Sequence, residues 1–275
     1  MTTGFSPLRN NFFAAVLIVF LVAASIFSTN AQTKQPFTFK TIVIDAGHGG
    51  KDPGAHGAHS LEKDVALAIA KKLKQKLKTA MPDVDVIMTR TTDKFVELNK
   101  RADIANKANA NLFISIHCNS SPEGTAKNAH KLKGVMMLVY GFHRKEEQME
   151  ALRENASIYI ETDYKKNYTE YNEKDPTAMI VLNTVMQKYR KQSILFGEIL
   201  NNEFKTVDSR SSHGVKEQGV LVLAHSAMPA VLVETGYINN SAEEKYLNSE
   251  SGQNAVAASI YRAIKTYRKQ IKPLK

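Results

Sequence analysis

The sequence predicts an α/β domain built on a largely parallel sheet. Short, β-branched apolar runs alternate with longer stretches of helical periodicity, in the order strand, helix, strand, helix, strand. That order is the pattern of right-handed βαβ crossovers. Six apolar runs qualify as strands, and 275 residues suffice for one substantial core carrying an insertion.

The first strand is Thr41–Asp45, and a Gly-rich loop follows from Gly47 to Gly57. A helix starts at Glu62, because Val65, Ile69, Leu73 and Leu77 recur every four residues beside Ala66 and Ala70; Pro82 marks its end. Val84–Thr89 reads as the second strand. Residues Val96–Ala110 read as a helix striped by Leu98, Ala102 and Ala105, and Leu112–Ile116 as the third strand. Gly134–Tyr140, Gly219–Leu223 and Ala230–Glu234 supply three more strands. A long helix over Thr177–Val207 and a C-terminal helix over Ala255–Ile271 complete the set. The segment from Gly141 to Pro176 interrupts the alternation. It is rich in Glu, Lys, Tyr and Asn, with a possible helix over Lys145–Ile160.

Before the domain, Arg9 precedes an apolar stretch from Phe12 to Phe27 and a run of small residues ending at Ala31. This describes a secretory signal peptide over residues 1–31. The competing reading is a retained membrane anchor, but the stretch falls short of the roughly 20 apolar residues that span a bilayer. No Cys follows it, which argues against a lipoprotein anchor. Cleavage removes one of 37 basic residues and none of 27 acidic ones, leaving a charge of +9. An exported basic protein meets anionic partners such as a wall polymer. The lysines Lys71, Lys72, Lys74, Lys76 and Lys78 lie along one helix without interleaved aromatics, which reads as a solvated face and not a nucleic-acid stripe. Cys118 is the only cysteine, so no intrachain disulfide forms; it reads as a small buried apolar residue.

Open parallel sheets bind ligands at the carboxyl ends of their strands. His48 lies three residues beyond the first strand, His117 ends the third, Glu234 ends the last, and Glu62 opens the helix reached from the first. Each has a plainer reading. His48 reads as an ordinary loop histidine, Glu62 as an acid favoured by the helix dipole at about 0.3–1 kcal/mol, and His117 as a satisfied core histidine. Glu234, straight after Ala-Val-Leu-Val, is costly to bury unless it is functional or salt-bridged, for instance to Arg90. The loop satisfies neither the dinucleotide nor the P-loop spacing. Two imidazoles and a carboxylate around one metal, with a second carboxylate nearby, make a hydrolytic zinc site. Asn119 follows His117 on the same strand face, and with Arg90 it is a candidate to contact substrate.

The segments Ile44-Asp-Ala-Gly-His-Gly-Gly-Lys-Asp-Pro-Gly-Ala55, Glu62-Lys63, Thr89-Arg90, Ser115-Ile-His-Cys-Asn119 and Pro229-Ala-Val-Leu-Val-Glu-Thr-Gly236 resemble the zinc-dependent N-acetylmuramoyl-L-alanine amidases of bacterial envelopes. The resemblance covers about residues 40–270 without the middle segment. It departs at Ala46, where the family commonly has Pro, and at Cys118, where it has a small residue such as Ala. It implies a single α/β domain over residues 32–275. The sheet is then about six-stranded, mostly parallel and twisted, with helices on both faces. The resemblance implies one catalytic Zn²⁺ held by His48, Glu62 and His117, with Glu234 moving the proton. The reaction is hydrolysis of the amide between N-acetylmuramic acid and L-alanine in peptidoglycan, in cell-wall remodelling and daughter-cell separation.

The resemblance also implies that the insertion, about 141–176, covers the site in some members until an activator protein displaces it. Glu150, Glu154 and Glu161 are then candidate plugs, against the alternative of a solvated surface insertion. The expected location is the periplasm or cell envelope, with peptidoglycan as partner, no nucleic acid, and no stable membrane span after signal cleavage. The rival readings are a zinc peptidase or amidase acting on another substrate, and a wall-binding protein without catalysis.

Overall fold

A computed structural model describes residues 38–121, 129–141, 148–163, 166, 168 and 176–271. The expected signal peptide and parts of the insertion lie outside the described residues. Six strands form one sheet: β1 (Thr41–Ala46), β2 (Asp85–Met88), β3 (Leu112–Asn119), β4 (Val135–Tyr140), β5 (Ser212–Gln218) and β6 (Ala230–Tyr237). Their spatial order is β2-β1-β3-β6-β4-β5. The β1–β2, β1–β3, β3–β6 and β4–β5 pairs are parallel; β4 runs antiparallel to β6. Seven α-helices are described: α1 (Glu62–Ala80), α2 (Leu98–Lys107), α3 (Met149–Asn155), α4 (Pro176–Thr206), α5 (Leu221–Ala224), α6 (Ser241–Asn248) and α7 (Glu250–Gln270).

Strand alternation sorts the core into two layers. Ile42, Ile44, Ile114, Ile116, Val231 and Val233 pack with the apolar stripes of α1, α4 and α7. Val43, Phe113, Leu138 and Leu232 pack with α2, α3 and α5 on the other face. Continuing that second parity toward the strand ends gives Asp45 on β1, Ser115, His117 and Asn119 on β3, and Glu234 on β6. The residues that fill the core and those that do chemistry thus share one face, separated only by position along the strand. Cys118 belongs to the opposite layer and packs in the first core cluster.

One expected strand needs correction. The run Gly219–Leu223 is not a strand: Leu221–Ala224 is a single helical turn, and the edge strand is the preceding, polar Ser212–Gln218. Apolarity misleads here because Val222 and Leu223 are buried in a connection and not in a ladder, while an edge strand bonded on one side tolerates polar residues. Residues 241–248 form a further helix, α6, with the Asn240 side chain accepting the Ala242 and Glu243 amides as its cap. Within the possible helix over Lys145–Ile160, the described residues from 149 form α3 and a 3₁₀ turn over Ala156–Ile160; residues 145–147 lie outside the described residues. No helix among the described residues is long and apolar enough to cross a membrane.

Candidate metal centre

The site is built from the carboxyl end of β1 outward. Its loop turns on His48 and Gly49, both at positive φ (57° and 122°). A histidine in that region is strained by of order 1 kcal/mol and stays there only if its surroundings hold it. Two buried arginines do so. Arg101 donates to the Ala46 carbonyl at 2.8 Å and the His48 carbonyl at 2.7 Å, and pairs with buried Asp45 at 2.9 Å. Arg90 donates to Ala46 O at 2.9 Å, Gly47 O at 2.7 Å and Lys63 O at 2.7 Å. Thr89 and Ser115 hydroxyls, each at 2.6 Å, complete the shell of Asp45. Burial acts to raise the Asp45 pKa, but Arg101 and the two hydroxyls outweigh it, and the group ends below the usual range.

This loop aims the His48 ring. Its Nδ1 lies 2.9 Å from Asp52 Oδ2, so Nε2 points inward. His117 projects from β3 and reaches the same point through Nδ1, 3.0 Å from Glu62 Oε1. Glu62, at the start of α1, is held by the Cys118 amide at 2.8 Å and the Ala55 amide at 2.7 Å. Gly47 is required for close approach: a Cβ there would lie 2.4 Å from His117 Nε2. A fourth donor comes from the insertion. Glu154 of α3 places Oε2 2.7 Å from His117 Nδ1 and 3.3 Å from His48 Nε2.

Does this set fit a metal ion? His48, Glu62, His117 and Glu154 are all buried, and their donor atoms lie within 4.8 Å of one another. The neighbouring donor separations of 2.7–3.3 Å approach the ~3.3 Å edge of a tetrahedron with arms of about 2.05 Å, the usual zinc bond length. His48 Nε2 and Glu154 Oε2 are buried and meet only the other donors of the cluster, without a well-aligned hydrogen bond, a costly state unless something sits between them. Charge gives the same answer. Burial lowers the pKa of both histidines, yet the carboxylates override it: Glu62 lifts His48 well above its ordinary value, and Glu154 lifts His117 to about 9. Burial raises Glu62, but His48 brings it down to about 2. Two buried carboxylates therefore call for two positive charges, which a divalent cation supplies. The donor set fits.

Glu234 lies beside the cluster, opposite His117 in the β3–β6 register, and is fully buried. Burial pushes its pKa up to about 8, against the pull of Arg153. Its salt-bridge partner is Arg153, at 2.7 Å, and not Arg90. The other expected residues take distinct places. Arg90 is buried, and its guanidinium donates to the Ala46, Gly47 and Lys63 carbonyls, so it shapes the loop that carries His48. Asn119 accepts from Arg153 at 2.6 Å. Of the three insertion acids only Glu154 reaches the cluster. Glu150 accepts from Gln218 Nε2 at 2.5 Å, and Glu161 accepts the Leu98 amide and the Tyr168 hydroxyl, each at 2.9 Å. The sequence reading had no role for Asp52, Arg101 or Arg153. Asp52, four residues after His48 in a turn, carried a usable signal; Arg153 carried none.

A buried two-histidine, two-carboxylate centre at the carboxyl edge of a mostly parallel sheet defines the class of metal-dependent hydrolases. Comparison with known proteins gives the family. The Amidase_3 family, N-acetylmuramoyl-L-alanine amidase, matches residues 42–266, and the chain belongs to it. A putative N-acetylmuramoyl-L-alanine amidase of Buchnera aphidicola subsp. Baizongia pistaciae is 36% identical over 230 residues, covering 82% of this chain and 95% of that relative. The chain spans only about half the length of the AmiB and AmiC amidases it also matches. Among solved structures, the amidase AmiC2 of Nostoc punctiforme aligns with TM-score 0.58 at 29% identity, over 85% of this chain and 99% of that one. The amidase CwlD of Clostridioides difficile, solved in complex with the GerS lipoprotein, aligns with TM-score 0.59 at 26% identity, over 84% and 98%.

Proposed function

We propose that this chain is an exported, zinc-dependent amidase that hydrolyses the bond between N-acetylmuramic acid and L-alanine in peptidoglycan, and that α3 holds it silent until a partner displaces that helix. The observation that carries the reading is one cluster: His48 Nε2 and His117 Nδ1 facing Glu62, with Glu234 alongside on the next strand. His48, Glu62 and His117 would hold the ion. Zinc supplies a Lewis acid and a water of pKa lowered toward ~7.

The chain's own residues do the rest. Glu234 takes the proton of the attacking water and returns it to the leaving nitrogen; a buried carboxyl with a raised pKa is poised for both transfers. Asp52 keeps the proton of His48 on Nδ1, so that Nε2 offers its lone pair. Arg90 and Arg101 hold the loop that carries His48.

The regulatory part rests on Glu154, which takes the position a water or substrate oxygen would need, and on Arg153, which pairs with Glu234. The helix is anchored apart from the centre as well. Gln148 Oε1 accepts the Gly219 amide at 2.6 Å, Asn155 Oδ1 the Leu221 amide at 2.8 Å, and Lys51 donates to the Ile160 carbonyl at 2.5 Å. CwlD in its complex with a lipoprotein offers a parallel for an activating partner. Signal cleavage after Ala31 and a periplasmic or envelope location complete the proposal.

The test is digestion of purified peptidoglycan by residues 32–275 and by the same chain with Glu154→Ala, with products identified by mass, with and without a chelator. Release of intact peptides from glycan strands, abolished by chelation and restored by Zn²⁺, is expected from the variant. Cleavage within the peptides would favour the peptidase reading, and silence of a zinc-loaded variant the wall-binding one.

A further inference from the structure

Arg153 and Glu154 enter the centre side by side but satisfy different halves of it. Glu154 meets the two histidines. Arg153 turns toward acceptors. Its Nη1 donates to Asn119 Oδ1 at 2.6 Å and to the Ser120 carbonyl at 3.1 Å, and its Nη2 to Glu234 Oε1 at 2.7 Å. Besides its two bonds to the neighbouring Glu154 Oε1, at 2.9 and 2.7 Å, three oxygens from three residues outside α3 thus converge on a cation. An alkylammonium carries three N–H donors and no acceptor, so the same three oxygens match it. Asn119 is 2% exposed, and its Nδ2 is buried without a partner, so its amide is only half used while α3 is docked.

We propose that Arg153 stands in for the leaving amine, and that Glu234, Asn119 and the Ser120 carbonyl form the subsite that receives the amino terminus of the released L-alanyl peptide. This rests on the amidase reading and adds where the leaving group is held. In hydrolysis a C–O bond forms from water and the C–N bond breaks. One water proton passes through Glu234 to the nitrogen. The new carboxylic acid ionises, and the amine leaves as an ammonium. The product cation therefore appears against Glu234, where Arg153 now lies. Asn119 contributes neutral acceptance, which favours the cation without competing with Glu234 for the proton. The autoinhibitory pair then imitates both products at once, Glu154 the new carboxylate and Arg153 the new ammonium.

Asn119 Oδ1 also accepts its neighbour Ser120 amide at 2.7 Å, so a purely local structural role must be separated from amine binding. The probes are L-alaninamide and L-lactamide, isosteric except that a hydroxyl replaces the ammonium. The full-length, zinc-loaded protein is cleared by Arg153→Ala with Glu154→Ala, and binding is read by ligand-observed NMR, with zinc content measured in parallel. The cleared protein is expected to bind the ammonium probe at least about tenfold tighter than the hydroxyl probe, the scale of a charge-assisted hydrogen bond. Adding Asn119→Leu collapses that ratio at unchanged zinc content, whereas Asn119→Asp preserves it. Equal binding of both probes by the cleared protein overturns the proposal, as does a ratio that survives Asn119→Leu. If the Leu variant fails to fold, loss of the ratio in Asn119→Asp overturns it. Absence of peptide release from peptidoglycan by the cleared protein overturns the amidase reading beneath it, and the leaving-group assignment with it.

Discussion

Asp52 offers the sharpest quantitative prediction. His48 Nδ1 contacts Asp52 Oδ2 at 2.9 Å, and both residues are buried. The contact does two things: it fixes the tautomer that leaves Nε2 free, and it makes the imidazole a better donor to a cation. In Asp52→Ala a hydrogen bond to a charged group is lost, worth about 1.5–3 kcal/mol. At about 1.4 kcal/mol per decade, zinc affinity falls by about 10–100-fold, the span known for partners of metal-bound histidines. Asp52→Asn keeps a neutral acceptor and falls between. The backbone bridge between Gly49 and Asp52 is untouched by either change, so the loop keeps its path. The assay is competition for Zn²⁺ against a chromophoric chelator on the full-length chain, with circular dichroism as the folding control. A dissociation constant within about threefold of the parent for Asp52→Ala would refute the argument that this carboxylate sets the tautomer.

Four other outcomes follow from the same geometry. Glu154→Ala should raise basal peptide release by tenfold or more on the scale of one lost charge-assisted contact, read by dye release from labelled peptidoglycan; an unchanged rate would remove Glu154 from any blocking role. Gly47→Ala puts a Cβ 2.4 Å from the His117 ring, so zinc stoichiometry measured by metal analysis should fall while the fold, read by circular dichroism, persists. Asp45→Asn strands the buried Arg101 guanidinium and should cost about 3–5 kcal/mol, or roughly 6–20 °C in Tm for a domain of this size. The folded Asp45 pKa lies below its unfolded value of about 3.9, so its stabilisation is full above that value and is lost as pH falls through the folded pKa. Acid titration of Tm should therefore be shallower in Asp45→Asn. Burial pushes the Cys118 thiol well above its ordinary pKa, so the native protein should resist a thiol-reactive dye that labels it fully in denaturant.

The parts of this fold legible in the sequence are those where the side-chain pattern and burial coincide. Ile42, Ile44, Ile114 and Val231 sit in ladders bonded on both sides and covered by helices on both faces, so their runs are continuously apolar. Strand β5 broke that link. It is the sheet edge, its residues Ser212–Gln218 are mostly half-buried, and nothing in their composition marks a ladder. The opposite error occurred next to it, where Val222 and Leu223 are buried by packing against a sheet face together with α2 and α3, and not by pairing in a ladder. The antiparallel turn of β4 against β6 is equally invisible, because a crossover and a reversal can join the same apolar runs.

At the site, His48, Glu62, His117 and Glu234 announce themselves by standing at the ends of apolar strands or opening a helix. Arg101 and Arg153 do not. Each sits on a helix among other charges, and its meaning comes from a residue far away in sequence: Asp45, 56 residues off, in one case and Glu234, 81 residues off, in the other. Periodicity reports which face of an element is buried, not what waits on the neighbouring element.

That Glu154 and Arg153 are carried by the same chain as the centre has a consequence for dose. If the pair blocks the centre as proposed, it is a tethered competitor of fixed effective concentration, whose occupancy does not decline when the protein is diluted, exported or overproduced. No change in abundance alone would then switch the activity on. Only a ligand that binds the undocked helix better than the docked one shifts the balance, and moving it from about 1:99 to 99:1 requires some 5.5 kcal/mol of differential affinity. A partner meeting that demand could act at a chosen place in the envelope while every other copy stayed silent.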